Sequence, residues 1–285
     1  MHTVEQLGLL KMDFLGLRNL SIIDRTLELI DDESFNIDEL PLTDKKTFEL
    51  FSSGKMTGVF QLESRVAQAT ARSLKPKRFE DIVALVALIR PGPLGANMHI
   101  EFADRATGKK EIEFLHNDLK EILEETYGVI LYQEQVMQIA QKISGFQLDE
   151  ADDLRKAMGK KIPKVMEQQR KKFTDGALQN GYSEQFSMEL FDQIAFFAGY
   201  GFNKSHSVPY ALLAYQTAYL KANYPAEYLS ACLTAVKRDK ERTAVFLAEA
   251  RDIGVNVKTP DINLSTEDFS VANGEILFGL SAIRK

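Results

Sequence analysis

Apolar residues recur at helical spacing through most of the chain. The period of three to four positions marks 17–30, 130–145 and 239–253. The segment 79–90 is apolar on nearly all sides, which predicts a buried central helix that Pro91-Gly92-Pro93 stops. Further helices are expected at 148–158, at 183–199, after 207–209 and after 224–225. The pattern therefore predicts a mainly α fold.

Strand signals lie only near the two ends of the sequence. Leu10 to Phe14 alternates apolar and polar residues, and 268–280 holds two extended stretches around Asn273-Gly274, a hairpin turn signal. A lone first strand needs partners, so either it pairs with the C-terminal hairpin or its sheet lies upstream. The expected fold is one multi-helix domain with a short N-terminal strand and a small C-terminal β-hairpin.

Composition excludes only a few classes of protein. The chain is 45% hydrophobic and 27% charged, as in ordinary soluble proteins. A lone Cys232 excludes a disulfide framework and a cysteine zinc site within the chain. The longest apolar run, 82–89, is far shorter than the roughly 20 residues of a membrane span, and the N-terminus lacks signal-peptide features. The expected location is the cytoplasm.

The formal charge of −6 conceals a basic band. The band comprises Arg155, Lys156, Lys160, Lys161, Lys164, Arg170, Lys171 and Lys172. Such a band in an acidic chain is either a polyanion site or the solvated face of a helix. In 148–161, acids precede cations, which complements a helix dipole with Gly159 as the C-terminal cap. The alternative is that Arg155, Lys156, Lys160 and Lys161 converge on a triphosphate.

Two short motifs have residue types suited to phosphate chemistry. Lys11 and Asp13 project from one face of the predicted first strand, where Asp13 would hold Mg²⁺ and Lys11 would meet phosphate oxygens. The plain alternative is a surface ion pair. Residues 199–207 place glycines, aromatics, Asn203, Lys204 and His206 just before a helix start, which is an anion site because its amides are unpaired. A cap or a packed histidine is the alternative reading.

Two further residues are weaker candidates. Arg90 ends the buried helix, where a cation is favourable in any case, or a rigid Pro-Gly-Pro turn holds it toward a nucleotide. Gln133 belongs to a glutamine-rich surface in 127–141 that suits contact with a nucleic-acid backbone or simply faces solvent.

Seven motifs occur in the order seen in one known family. They are KMDFLGL, GVFQLES, ALIRPGPL, YGVILYQEQVMQIA, LRKAMGKK, AGYGFNKSHS and YQTAYLKANYPAEY. With them the chain resembles, over nearly its whole length, the bacterial DNA polymerase III alpha subunits, replicative DNA polymerases of the C family. The resemblance implies a DNA-directed DNA polymerase that adds deoxynucleoside triphosphates to a primer by a two-metal mechanism with Mg²⁺.

The resemblance also implies residue roles. Asp13 corresponds to the third metal-binding aspartate and Lys11 to a lysine that reaches the triphosphate. Arg155 and Lys156 fall where the family has a basic pair on the triphosphate, and Lys156 departs from the arginine often found there. His206 corresponds to the residue beside the sugar that discriminates against ribonucleotides. The nearby candidates are Tyr200, Asn203, Lys204 and Arg90 for the nucleotide, and Gln133, Lys160 and Lys161 for DNA.

The implied organisation is a palm strand at 1–16 followed by a fingers domain at 17–285, with a small β element near 257–283. A PDxD-type aspartate pair, which the family carries upstream, is missing from this sequence. One aspartate cannot hold two metals, so the chain alone is expected to be inactive. The chain is also expected to end just before a helix-hairpin-helix element. The implied partners are primer–template DNA, deoxynucleoside triphosphates and, for the full subunit, the sliding clamp and other replisome subunits. Alternatives are a non-catalytic helical binding module and the family's error-prone paralogue.

Overall fold

The computed structural model describes residues 7–10, 12, 16–160, 163–198 and 200–283. The α-helices, in chain order, are α1 (Arg18–Ile30), α2 (Lys45–Ser53), α3 (Arg65–Leu74), α4 (Phe79–Leu88), α5 (Pro91–Gly95), α6 (Met98–Ala106), α7 (Lys120–Leu123), α8 (Gln133–Ser144), α9 (Leu148–Lys160), α10 (Pro163–Gln179), α11 (Glu184–Ala198), α12 (Lys204–Asn223), α13 (Pro225–Val236) and α14 (Lys240–Asp252). Short 3-10 turns lie at Ile37–Glu39, Asn117–Leu119, Glu124–Thr126 and Leu280–Ala282. The mainly helical fold class is confirmed.

The described residues form two compact units. One unit is 36–223, and the other combines the described residues up to Phe35 with those from Tyr224 onward. This differs from the single helical domain that the sequence suggested, because both ends of the chain contribute to the second unit. The predicted boundary between a palm strand at 1–16 and a fingers domain at 17–285 is a different division, and it stays a prediction. Of the first strand predicted at 10–14, Lys11, Asp13 and Phe14 lie outside the described residues.

The unit 36–223 contains two hydrophobic clusters. The first surrounds α4, whose residues 81–88 are all buried, and α12 packs along it. This confirms the buried central helix, which ends at Leu88. The second cluster joins the apolar faces of α8, α9, α10 and α11. Because α9 and α10 are separate helices, the basic band predicted from the sequence spans two helices and is not one continuous face.

Several predicted helix ends were wrong. The helix predicted at 79–90 ends at Leu88, two residues earlier, and Pro91 then begins α5 as its first residue. Helix α9 continues through Gly159 to Lys160, so Gly159 is not its C-terminal cap. Helix α12 begins at Lys204 and includes Pro209, although the sequence pattern predicts a start after this proline. The helix expected from 130 begins at Gln133, and its predicted end at Gly145 (φ 68°) is confirmed.

The second unit packs α1 against α13 and adds α14 and a three-stranded sheet. Strands β2 (Ser270–Ala272) and β3 (Glu275–Leu277) are antiparallel. Asn273 (φ 52°) and Gly274 (φ 74°) form their turn, which confirms the predicted hairpin. Strand β1 (Val257–Lys258) lies at the start of the β element expected near 257–283 and pairs with β3 in parallel, an addition to the predicted hairpin. Across the described ranges, no helix is both long and apolar enough to cross a membrane.

Candidate functional site

The loop 200–203 is fixed by backbone hydrogen bonds to the residues that precede α8. The amide of Phe202 donates to the carbonyl of Leu131 at 3.1 Å, and the amide of Gln133 donates to the carbonyl of Phe202 at 2.9 Å. These bonds form a parallel bridge between Tyr132 and Phe202. The side chain of Gln133 adds a bond from Nε2 to the carbonyl of Gly201 at 3.1 Å. Two motifs that are about 70 residues apart in the sequence therefore form one rigid corner.

The turn after α4 packs on the same loop. The guanidinium of Arg90 lies over the ring of Phe202, 4.0 Å from its centroid. The ring of Tyr200 approaches Gly92 so closely that a Cβ there would lie 2.2 Å from Cδ1 of Tyr200. This close approach requires glycine at position 92, because a side chain there would overlap the ring of Tyr200. The geometry thus places Arg90 against Phe202 and Gly92 against Tyr200, both at the loop 200–203.

The first amides of α12 are already bonded within the protein. The carboxylate of Glu134 accepts from the amide of Lys204 at 3.0 Å and from that of Ser205 at 3.4 Å. Oδ1 of Asn203 accepts from the amide of His206 at 2.8 Å. The hypothesis of an open anion site at this helix start was therefore wrong. Glu134, which lies 70 residues upstream, fills the position that a phosphate would take.

The side chain of Lys204 also has a protein partner. Its Nζ lies 2.7 and 2.8 Å from the two carboxylate oxygens of Glu125. It also lies 5.5 Å from the centroid of the Tyr132 ring. A nucleotide phosphate would therefore compete with the carboxylate of Glu125 for this ammonium.

His206 is solvent-exposed but held between aromatic rings. Its ring centroid lies 4.4 Å from that of Tyr210 and 5.6 Å from that of Phe202. Tyr210 in turn contacts Phe60, at 5.4 Å between ring centroids, and the amide of Phe60 donates to the hydroxyl of Thr217 at 3.1 Å. The sequence-based reasoning missed Tyr210. The predicted helix begins only after Pro209 and so does not include His206, whereas on the observed α12 the two residues lie one turn apart.

Arg155 and Lys156 share one carboxylate on α9. Nε and Nη2 of Arg155 lie 2.8 and 2.7 Å from Oδ1 of Asp152, and Nζ of Lys156 lies 2.7 Å from Oδ2. Nη1 of Arg155 donates to Oε1 of Gln133 at 3.3 Å, which joins α9 to the loop 200–203. The hydrogen bonds from Lys156 and then Arg155 lower the pKa of Asp152, and the same contact raises the pKa of Lys156. The sequence reasoning did not identify Asp152, although its i+3 and i+4 spacing to the two cations was a signal.

Other predicted residues cannot be placed. Lys11, Asp13 and Lys161 lie outside the described residues, and Lys160 is described only as the last residue of α9. The metal site expected at Asp13 is therefore also outside them. Among the residues that the structure does describe, no three His, Cys, Asp or Glu side chains are grouped closely enough to hold a metal ion.

The contacts connect five of the predicted residues through the loop 200–203. Arg90 and His206 both contact Phe202, Tyr200 belongs to the loop, and Gln133 links the loop to Arg155. The fold and this cluster define a helical protein with cationic, aromatic and amide side chains on one surface. Such groups are suited to a ligand that carries both phosphate and a ring.

The chain belongs to the family of finger domains of bacterial DNA polymerase III alpha subunits, whose model matches residues 19–181. It is 49% identical to the DNA polymerase III subunit alpha of Saccharopolyspora erythraea over 98% of the chain, and 49% identical to that of Thermus aquaticus over 100%. It is 48% identical to that of Escherichia coli K12 over 99% of the chain. The chain spans 24%, 24% and 25% of the length of these relatives, respectively.

A second family model, for a helix-hairpin-helix motif, matches residues 254–285. The chain was expected to end just before such an element, whereas this match already begins at residue 254. The matched segment contains β1, β2, β3 and the 3-10 turn at Leu280–Ala282. The β element expected near 257–283 and the motif model thus cover the same part of the chain.

Proposed function

We propose that this chain is the nucleotide-selecting fingers region of a bacterial replicative DNA polymerase. In this proposal it binds the incoming deoxynucleoside triphosphate and the primer–template during chromosome replication. The observation that carries the proposal is the connected cluster of Arg155, Gln133, the loop 200–203, Arg90 and His206. Motifs from four separate parts of the sequence contribute to it, and the finger-domain family supplies the class of protein.

Each residue has a proposed role. Arg155 and Lys156 bind the triphosphate, since a guanidinium offers paired donors to phosphate oxygens and an ammonium offers a compact charge. His206 lies beside the sugar and disfavours ribonucleotides, while Tyr200, Asn203 and Lys204 surround the same nucleotide. Of these, Lys204 has the weakest support, because Glu125 holds its ammonium. The remaining candidates are Arg90 for the nucleotide and Gln133, Lys160 and Lys161 for DNA.

Asp13 and Lys11 are proposed to act in the chemical step, with Asp13 as one ligand of Mg²⁺. When bound, two metal ions supply charge stabilisation for phosphoryl transfer. This chain's own residues bind and orient the nucleotide. Because the sequence has no PDxD-type pair, we expect the isolated chain not to extend primers. Primer extension by the purified chain at the rate of an intact alpha subunit would contradict this.

Further parts of the proposal concern the whole subunit. It would act on primer–template DNA in the cytoplasm and assemble with the sliding clamp and other replisome subunits. The helix-hairpin-helix match at 254–285 supports contact with DNA. The error-prone paralogue performs the same chemistry, and the cluster at the loop 200–203 is compatible with either enzyme.

The proposal is tested by titrating the isolated chain with a deoxynucleoside triphosphate and Mg²⁺ at low ionic strength, where charge contacts are least screened. We expect Arg155→Ala and Lys156→Ala each to weaken binding about tenfold or more, as for the loss of a hydrogen bond to a charged group. His206→Ala is expected to have a smaller effect on binding and a larger one on the preference for deoxyribose. Unchanged binding in all three variants would contradict the site.

Lys171→Ala is the matched control. Lys171 belongs to the same basic band but lies beside Ser144–Phe146, at the C-terminal end of α8. Gln133 begins α8, so about 16 Å of helix separates the two ends at 1.5 Å per residue. Removing this charge should leave triphosphate binding nearly unchanged. An equal loss in Lys171→Ala would indicate general attraction to a basic surface instead of a defined site.

A further inference from the structure

One carboxylate, that of Asp152, holds both cations assigned to the triphosphate. Its Oδ1 contacts Nε and Nη2 of Arg155 at 2.8 and 2.7 Å, and its Oδ2 contacts Nζ of Lys156 at 2.7 Å. The three residues share one face of α9 because they are three and four positions apart. Nη1 of Arg155 donates to Oε1 of Gln133 at 3.3 Å. Every nitrogen of the guanidinium therefore has a protein partner.

All three ionic side chains remain open to water. Their exposed fractions are 31% for Asp152, 32% for Arg155 and 54% for Lys156. Ion pairs with this exposure are weak, because water competes with each partner and long side chains lose entropy when they are held. A triphosphate brings several charges to the same two cations. Replacing Asp152 by phosphate as the partner of these two cations therefore costs little free energy.

We propose that Asp152 is an affinity-determining residue of the triphosphate site: its carboxylate occupies Arg155 and Lys156 in the free protein, and the triphosphate displaces it. The inference rests on the proposed function, since it takes these two cations as the triphosphate ligands. The expected change in binding affinity has an unusual sign. Removing the charge of a residue at the site should tighten binding, because the ligand no longer competes with an internal anion.

The test is Asp152→Asn, which keeps the size of the side chain and removes its charge. Calorimetric titration of the chain with a deoxynucleoside triphosphate and Mg²⁺ should show binding about 3- to 10-fold tighter than in the wild type, as for the loss of two weak ion pairs. Inorganic tripolyphosphate should show a similar gain, because the competition concerns phosphate alone. The corresponding deoxynucleoside, which lacks phosphate, should show none.

Asp153→Asn is the matched control for long-range charge. Asp153 is the next residue, is 69% exposed, and contacts only Lys156 among these two cations, at 3.7 Å. The same charge change there should produce less than about half of the gain in binding free energy, since it leaves the shared carboxylate in place. Equal gains in both variants would mean that Asp152 acts through the general field, and the proposal would be wrong.

A triple variant tests the mechanism directly. In the background of Arg155→Ala and Lys156→Ala, Asp152→Asn should give no gain, because the cations that it competes for are missing. Weaker or unchanged binding in Asp152→Asn would overturn the proposal, and weaker binding would show that the carboxylate positions the guanidinium for the ligand. If Arg155→Ala and Lys156→Ala weaken binding while Asp152→Asn does not tighten it, only this inference fails. If neither cation matters, the triphosphate site fails with it.

Discussion

The carboxylates of Glu134 and Asp152 each contact groups that could otherwise bind phosphate, but the groups are of different kinds. Glu134 accepts from the backbone amides of Lys204 and Ser205 at the start of α12. Asp152 instead contacts the side chains of Arg155 and Lys156 on α9. Backbone amides at a helix start cannot turn away, whereas long cationic side chains can change partners. The first carboxylate is thus part of the fold, and the second is exchangeable.

The difference shows which anion site remains available to a ligand. Loss of Glu134 would leave the first two amides of a 20-residue helix without this carboxylate, while loss of contact with Asp152 leaves two cations that water or phosphate can satisfy. The loop 200–203 belongs with the fixed side of the comparison, since its backbone is bonded to Leu131 and Gln133. We infer that ligand binding rearranges side chains on α9 against a corner that backbone hydrogen bonds hold together.

The largest expected effect comes from disturbing that corner. Gly92→Ala puts a Cβ 2.2 Å from the ring of Tyr200, so the ring or the turn must move. We expect a loss of about 1–3 kcal/mol in the free energy of unfolding, typical of overpacking, measured by urea denaturation. Triphosphate binding should weaken as the loop shifts.

Gly95→Ala is its control, because it lies in the same short helix and a Cβ there meets no atom within 4 Å. This variant should be neutral or slightly stabilising. The double variant Gly92→Ala with Tyr200→Ala should regain much of the loss, since the clashing ring is gone. Equal destabilisation by both glycine substitutions would show that backbone freedom, and not the approach of Tyr200, is the reason for Gly92.

A smaller effect is expected when the fixed carboxylate loses its charge. Glu134→Gln should cost about 1 kcal/mol in the free energy of unfolding, as for a weakened helix cap, and should not tighten triphosphate binding. Denaturation and the same titration used for Asp152→Asn measure both quantities. If Glu134→Gln tightened binding as much as Asp152→Asn, the start of α12 would be a phosphate site and the comparison would be broken.

The contact between His206 and Tyr210 should contribute still less to the free energy of unfolding. A double-mutant cycle with His206→Ala and Tyr210→Ala is expected to give a coupling energy of about 0.5–1 kcal/mol, as for an aromatic pair beyond its buried area. Tyr210→Phe keeps the ring and should keep the coupling with His206. A coupling near zero would mean that the rings are neighbours without energetic linkage, and that Phe202 alone positions His206.

Local signals in the sequence predicted much of the fold. The side chain of Asp239 caps α14, Ser183 accepts from the amide of Phe186 at the start of α11, and Asn273-Gly274 forms the hairpin turn. Each depends on residues a few positions apart, so a pattern rule can detect it. Pro209 shows the limit of such rules. Caps from Asn203 and Glu134 start α12 upstream of the proline.

The connections within the site were less predictable. The sequence identified Arg90, Gln133, Arg155, Tyr200 and His206, partly through family resemblance. It gave no sign that Phe202 would pair with Leu131 and Gln133, or that Glu134 would cap α12, because these contacts join segments about 70 residues apart. Long-range pairing is set by the packing of the whole unit and leaves no local periodicity.

The smallest expected effect is a change in the pKa of Asp152 on ligand binding. Lys156 and Arg155 lower the pKa of this carboxyl in the free protein. Because the folded-state pKa is lowered, the ion pairs stabilise the fold above the ordinary aspartate value of about 3.9 and are lost as the pH falls through the lowered one. If the triphosphate takes both cations, the pKa of Asp152 should rise to its ordinary value or above, since phosphate charge then lies nearby.

Carbon NMR of the side-chain carboxyl, followed through an acid titration with and without Mg²⁺ and the triphosphate, measures this shift. Asp32 is an internal reference, because hydrogen bonds from Ser34, two residues away, lower its pKa. The pKa of Asp32 should remain low in both titrations. A pKa of Asp152 that stays lowered at saturating triphosphate would show that the carboxylate keeps its cations when the ligand binds. Asp152 would then belong with Glu134 on the fixed side of the comparison.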